Sequence, residues 1–352
     1  MQANKGEWSE LYAFLFILSA RKVPAADKDL NPTNDEYEFL QIIRNDADNN
    51  QKIYDLGTPN SVKIIHCDGS SVVVPVSDLP NKTRNIFDQI KTAHDSSFAL
   101  PNADEIMNRL ELDRIKASSS NKHDLEAVVK DKISSRQQLG FSIKSQIGSP
   151  ATLLNASSHT NFIFKVNGLN EDISNINKID GRSKIRDRLE QIKLHGGMLE
   201  FDHVDSSIFT ENLQIIDTYF PVVMSEVLLR YYSGDGSTIS ELTDILGNSN
   251  KLRLNEKIIN YKIREFLRAI ALGMFPGSEW NTRLSAQGGY LVVKNDGALV
   301  CYHLYNFDEF GDYLFANTKL DTPSSTRHDF GYIYEDDGQY YMRLNLQIRF
   351  IK

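Results

Sequence analysis

The chain has 352 residues, 41% of them hydrophobic and 24% charged, and a formal net charge of −8. That length accommodates one large domain or two ordinary ones, and the acidic balance excludes a protein that grips nucleic acid by global positive charge, though not one that gathers Lys and Arg inside a cleft. Cys67 and Cys301 belong to no CxxC pair or Cys/His cluster, which argues against a structural zinc site or a disulfide framework and fits a reducing, cytoplasmic compartment.

In chain order, Trp8, Leu11, Tyr12, Leu15 and Leu18 follow a helical period, so a helix over Glu7 to Ala20 opens the chain after Lys5-Gly6. Its apolar run is too short to span a bilayer. Glu7 and Glu10 before it, with Arg21 and Lys22 after it, are in the wrong order for an export signal, so it reads as a buried amphipathic helix. The polar stretch to about Asn60 reads as loops with one short helix around Tyr37 to Ile43. Val62 to Cys67 and Ser71 to Val76, separated by Asp68-Gly69, predict a hairpin. Thr83 to Ala93 and Asp104 to Ile115 read as helices, and Lys116 to Lys122 as a polar connector. Strands follow over His123 to Lys130, Leu139 to Ser145 and Asn161 to Val166. Helices dominate Ser206 to Met274, where Thr238-Ile239-Ser240-Glu241 has the form of a capping box. Strands return at Tyr290 to Lys294, Ala298 to Tyr305, Phe330 to Tyr334 and Tyr340 to Ile351. The expected fold class is α/β (α+β).

The residues that point to chemistry lie in the first half. Asp124 opens one predicted strand, and Lys144 lies in the next with Ser142 two residues before it, on the same strand face. If the two strands pair side by side, Asp124 meets Lys144 at one edge of the sheet. Metal-assisted phosphodiester hydrolysis needs these residue types. A carboxylate holds a divalent cation that polarises the phosphate and lowers the pKa of the attacking water, and a lysine orients that water or offsets transition-state charge. Mg²⁺ needs only one or two carboxylates because it keeps several waters. The bare pattern is common and also describes a turn aspartate and a solvated strand lysine.

Further blocks give the pattern company: Lys5-Gly6-Glu7-Trp8-Ser9-Glu10 at the start, the run from Gly140 to Ser157 in the middle, and Arg327-His328-Asp329-Phe330-Gly331 with Leu344 to Phe350 near the end. Together they resemble the HpaII family of type II restriction endonucleases over nearly the whole chain. The resemblance implies a branch of the PD-(D/E)XK nucleases: a restriction-endonuclease-like mixed central sheet flanked by helices, with an added helical and β-rich C-terminal part. A catalytic core over 1–168 and a region over 169–352 completing the DNA cleft and target recognition would follow, able to pack as one domain. The implied activity is Mg²⁺-dependent cleavage of double-stranded DNA at CCGG, after the first cytosine. A cognate DNA methyltransferase would protect the host, and two visits or a homodimer would cut both strands. Carried over, Asp124 binds the metal and Lys144 is the catalytic lysine. The departure is Ser142, which stands where the pattern usually has an acid and is a poorer metal ligand. The chain then either binds fewer metals or recruits another acid, the candidates being Glu10 or Glu7 on the first helix, or Glu126 on the same strand face as Asp124.

For DNA, the loop from Gln146 to Thr160 offers Gln146, Ser149, Thr152 and Asn155 as phosphate contacts, although such residues also satisfy their own turns. Arg327 and His328 are candidates for base contact, since an arginine bridges guanine O6 and N7. Asn345, Gln347 and Arg349 alternate along one predicted strand and would project from one face, suited to base edges and equally to solvent. Arg283 and Lys294 are weaker phosphate candidates. Rival readings are a structure-directed DNA repair nuclease and, because of Ser142, a catalytically silent sequence-specific DNA-binding protein.

Overall fold

The structure is a computed structural model and describes residues 1–45, 50–116, 123–130, 136–148, 150–249, 251–282, 288–302 and 307–351; Ser149 and Arg283 lie outside them. The first part of the chain forms β1 (Gln2–Ala3), α1 (Lys5–Ala20), β2 (Lys22–Ala26), β3 (Pro32–Asn45), β4 (Gln51–Asp55), β5 (Ser61–His66), β6 (Ser71–Pro75), α2 (Leu79–Thr92), β7 (Phe98–Ala99), α3 (Pro101–Arg109), β8 (Leu125–Lys130) and β9 (Gln137–Ser145). The middle forms β10 (Thr152–Leu154), β11 (Asn161–Asn167), α4 (Ile173–Asn177), α5 (Lys184–Leu194), β12 (Met198–Val204), α6 (Ser207–Ile216), α7 (Phe220–Ser233), α8 (Ile239–Ser249) and α9 (Glu256–Leu272). The last part forms β13 (Gly289–Val293), β14 (Leu299–Tyr302), α10 (Phe307–Asn317), β15 (Thr318–Leu320), α11 (Ser325–His328), β16 (Ile333–Asp336), β17 (Gln339–Asn345) and β18 (Ile348–Phe350). Helices and several sheets make this a mixed α and β protein. No helix among the described residues is long and apolar enough to cross a membrane.

Two compact units divide the chain: Met1–Ala151 with Leu284–Tyr313 and Lys352, and Thr152–Arg283 with Leu314–Ile351. In the first, a nine-stranded sheet runs in the order β2-β14-β13-β9-β8-β3-β4-β5-β6, with β2 pairing additionally with β3. The β9–β13 and β2–β14 pairs are parallel, so β9 is held by an antiparallel neighbour on one side and a parallel one on the other. Helix α1 opens on a capping box in which Asn4 Oδ1 accepts the Glu7 N–H and Glu7 Oε2 accepts the Asn4 N–H, each at 3.0 Å. It is not the amphipathic helix expected. Trp8, Leu11, Tyr12, Ala13, Phe14, Leu15, Ile17 and Leu18 are all buried, so apolar contact surrounds it, as befits a helix inside the core.

The segment Tyr37 to Ile43, expected as a short helix, lies within β3. A register shift between Phe39 and Gln41 explains the error. The buried residues fall at 37, 39 and 42, and the irregular step imitates helical spacing. Likewise α3 begins at Pro101 and ends at Arg109 rather than Ile115, because Glu111 takes a left-handed φ of 54° that a helix does not tolerate.

The second unit contains an antiparallel sheet β12-β11-β17-β16, a three-stranded sheet β10-β18-β15, and helices whose apolar faces meet at contacts such as Phe220 with Phe266. The strand expected from Tyr340 to Ile351 is two strands in different sheets, β17 beside β11 and β18 between β10 and β15. Asn345 accounts for the break. Its side-chain amide donates to Ser157 O and Asn161 Oδ1, each at 2.7 Å, and its carbonyl accepts the Tyr232 hydroxyl at 2.9 Å.

Candidate active site

Strand pairing delivers the first half of the site. In the β8–β9 ladder Leu125 faces Phe141, and Asp124 continues it by donating its N–H to Phe141 O at 2.9 Å. That bond holds Asp124, the residue just before β8, beside Phe141 and Ser142 at the end of the ladder, and Ser142 shares its strand face with Lys144. The Asp124 carboxylate is fixed there because its Oδ2 accepts the Ile143 N–H at 2.8 Å. Gly140 makes room for this turn of chain: a Cβ at that position would lie 2.6 Å from the His123 ring.

Helix α1 delivers the second half. Ser9 Oγ bonds to Ser145 Oγ at 2.9 Å, pinning the helix to the end of β9. The next residue, Glu10, lies close enough to Asp124 to feel its charge. Burial first, and Asp124 second, push the Glu10 carboxyl from its ordinary 4.5 to about 7, against the pull of Lys116. One of its oxygens, Oε2, is buried with no hydrogen-bond partner. Burial pushes the Lys144 ammonium below its usual range, opposed by Asp124 and Glu10. It sits 5.3 Å above the Tyr290 ring. A cleft of about 850 Å³ is lined by Glu10, Lys144, Ser145, Lys5, His94 and Asp95.

The third charged partner was not expected from the sequence. Lys116 Nζ stands 3.3 Å from Glu10 Oε1 and 3.9 Å from Asp124 Oδ1. Burial lowers its pKa, but the two carboxylates outweigh that and hold it above the usual lysine range. In sequence it is merely the first residue of a polar connector.

Of the acids weighed for the vacancy at Ser142, Glu10 is the one that reaches Asp124. Glu7 is engaged in the capping box. Glu126 is engaged by Gln138, whose Nε2 donates to it at 2.6 Å, and by His123 at 3.8 Å. No group of three or more His, Cys, Asp or Glu side chains clusters among the described residues. The pair nonetheless fits Mg²⁺, a hard cation that takes oxygen ligands, is satisfied by two carboxylates, and keeps its remaining waters. The orphaned Glu10 Oε2 is a donor atom waiting for such a partner.

The model of the HpaII restriction endonuclease family matches residues 4–350. The Type II restriction enzyme HpaII of Haemophilus parainfluenzae is 40% identical over 355 residues, covering 99% of this chain and 98% of that protein. The chain belongs to the HpaII restriction endonuclease family. As a member it is a type II restriction endonuclease, a site-specific deoxyribonuclease acting on double-stranded DNA. No solved structure is significantly similar to it.

The residues expected to contact DNA in this HpaII-family chain have different surroundings. Thr152 faces Arg349 across β10–β18, and Arg349 faces Lys319 across β18–β15, so the three form one cross-strand row. Lys319 in that row was not anticipated. Asn155 and Arg327 are exposed. His328 is half-buried, and its carbonyl accepts the Asn161 side-chain amide at 3.2 Å. Gln146 accepts the Asn295 N–H at 3.3 Å through its side chain, and Lys294 donates to Leu30 O at 3.0 Å. Gln347 lies between the two strands, where its carbonyl accepts the Asp321 N–H. Asn345 does not share an exposed face with Gln347 and Arg349. It is fully buried, and both its amide protons are spent inside the fold.

Proposed function

We propose that this enzyme hydrolyses double-stranded DNA by the Mg²⁺-dependent chemistry of the PD-(D/E)XK nucleases, with Asp124 and Glu10 as the metal-holding acids and Lys144 as the catalytic lysine. The observation that carries the reading is the convergence of Glu10 from a buried helix on Asp124 and Lys144 from adjacent strands. Glu10 supplies the acid that Ser142 lacks. A Mg²⁺ bound between the acids supplies positive charge that polarises the scissile phosphate and acidifies water.

The protein's own groups do the rest. The Ile143 amide holds one Asp124 oxygen, and the other lies 3.9 Å from Lys116 Nζ. Lys144, with its ammonium destabilised by burial, gives up a proton more readily than an exposed lysine, so its Nζ can orient the water or donate to a phosphate oxygen. Arg349 and Lys319 oppose each other in the ladder. Asp321 already lies 3.2 Å from Arg349, and the pair of cations beside Thr152 is proposed to meet a DNA phosphate. Asn155, Arg327, His328, Gln347, Gln146 and Ser149 are proposed as further contacts.

The proposed target is CCGG, cut after the first cytosine, with a cognate methyltransferase protecting the host DNA and two copies of the chain meeting on the palindrome. Digestion of unmethylated linear DNA in Mg²⁺, with Lys144→Ala in parallel and fragment ends sequenced, tests this. Ends inside CCGG from the wild type alone are expected. Ends elsewhere would overturn the target, and equal cutting by Lys144→Ala would overturn the lysine.

A further inference from the structure

We propose that Lys116 is an internal counter-ion of the acidic pair: its ammonium stands between Glu10 and Asp124 in the metal-free protein and must leave when a divalent cation binds. The proposal rests on the metal centre assigned above to those two acids. Its geometric basis is that one ammonium lies 3.3 Å from a Glu10 oxygen and 3.9 Å from an Asp124 oxygen. A Mg²⁺ held by the same two carboxylates would bring a second cation next to this ammonium, and an ammonium already packed against both acids would meet strong repulsion there.

The surroundings suit a residue that departs. The Lys116 side chain is 44% exposed, whereas those of Glu10 and Asp124 are 15% and 21% exposed, so the lysine comes from the solvent side and the acids from the protein side. Its stem is long and flexible, and a strongly hydrated ammonium loses little on returning to water. Lys116 also lies beyond the end of α3, after the left-handed Glu111, so no helical hydrogen bond is sacrificed when it swings. In the metal-free protein it has a clear use. Two facing carboxylates repel one another, and a single positive charge between them relieves that without sealing the site.

Displacing Lys116 opposes metal binding, so removing it should tighten binding. The tests use full-length protein without DNA, titrated with Mn²⁺ by calorimetry at pH 8. Lys116→Met and Lys116→Gln are expected to bind Mn²⁺ about three- to tenfold more tightly, the scale of a partly exposed ion pair. Lys116→Arg keeps the charge and should bind as the wild type does. A merely structural lysine would lower the melting temperature of its variants without tightening Mn²⁺. Unchanged or weaker binding in both neutral variants overturns the proposal. Asp124→Asn separates the two readings. If it abolishes Mn²⁺ binding while the neutral Lys116 variants show no gain, the metal centre stands and the counter-ion falls. If it leaves Mn²⁺ affinity intact, both fall.

Discussion

Asp124 Oδ2 accepts the backbone N–H of Ile143, the residue immediately before Lys144, at 2.8 Å. The acid is thus tied to the strand that carries the lysine. Asn keeps the acceptor at this position and loses the charge, whereas Ala loses both. Asp124→Asn should therefore abolish cleavage, by roughly 10³-fold or more, the scale of a lost preorganised electrostatic contact, while melting near the wild-type temperature. Asp124→Ala should lose cleavage and also about 1.5–3 kcal/mol of stability, the worth of a hydrogen bond to a charged group. Cleavage rates and thermal melts of the two variants side by side check this.

The raised Glu10 pKa sets a pH dependence. With 4.5 in the unfolded chain and about 7 in the folded one, the native state holds a proton that the unfolded state has released across that window. Stability from this group is therefore complete below about pH 4.5 and declines as pH rises through about 7. Glu10→Gln has no such decline. Its melting temperature should match the wild type in acid and exceed it increasingly from pH 5 to 8. Mn²⁺ affinity should climb through pH 7 in the wild type and stay weak and flat in Glu10→Gln.

Lys144 shows the opposite arrangement. Burial lowers its pKa, so the charged form is penalised in the folded chain, fully below the lowered pKa and less as pH rises toward the ordinary lysine value. Lys144→Met removes the penalty. It should raise the melting temperature at pH 7 while eliminating cleavage, and a less stable, inactive variant would argue that the ammonium is held by favourable contacts instead.

Gly140 is a steric test. A methyl group there meets the His123 ring at 2.6 Å, so Gly140→Ala must displace the residue next to Asp124. A stability loss of about 1–3 kcal/mol is expected from such overpacking, with cleavage falling further than stability alone accounts for.

The DNA contacts separate by salt dependence. Arg349→Ala should weaken DNA binding and reduce the slope of log K against log salt by about one, as for one lost phosphate contact. Asn345→Ala should instead act on folding. It leaves Asn161 Oδ1 without the Asn345 donor, while Ser157 O keeps Thr160, and should cost on the order of 1–3 kcal/mol, with the salt slope unchanged in the folded fraction.

The sequence by itself determined the local parts of this enzyme: the apolar helix read from Glu7, which begins two residues earlier, the hairpin around Asp68-Gly69, the strand carrying Lys144 and the one that Asp124 immediately precedes, and the family to which the whole chain belongs. Periodicity and turn chemistry act over a few residues, so these were legible one segment at a time. Tertiary structure alone decided which acid joins Asp124. Glu7, Glu10 and Glu126 carry the same chemistry, and only the packing of α1 against β9 brings Glu10 to the centre while capping and strand neighbours occupy the other two. Lys116 is the stronger case, because it meets Glu10 across 106 residues of chain from within a segment with no pattern of its own. The division of residues 340–351 between two sheets belongs to the same class. A strand's alternation is written in its sequence, but its partners, and hence the direction each face looks, are set by pairings with residues far away in the chain.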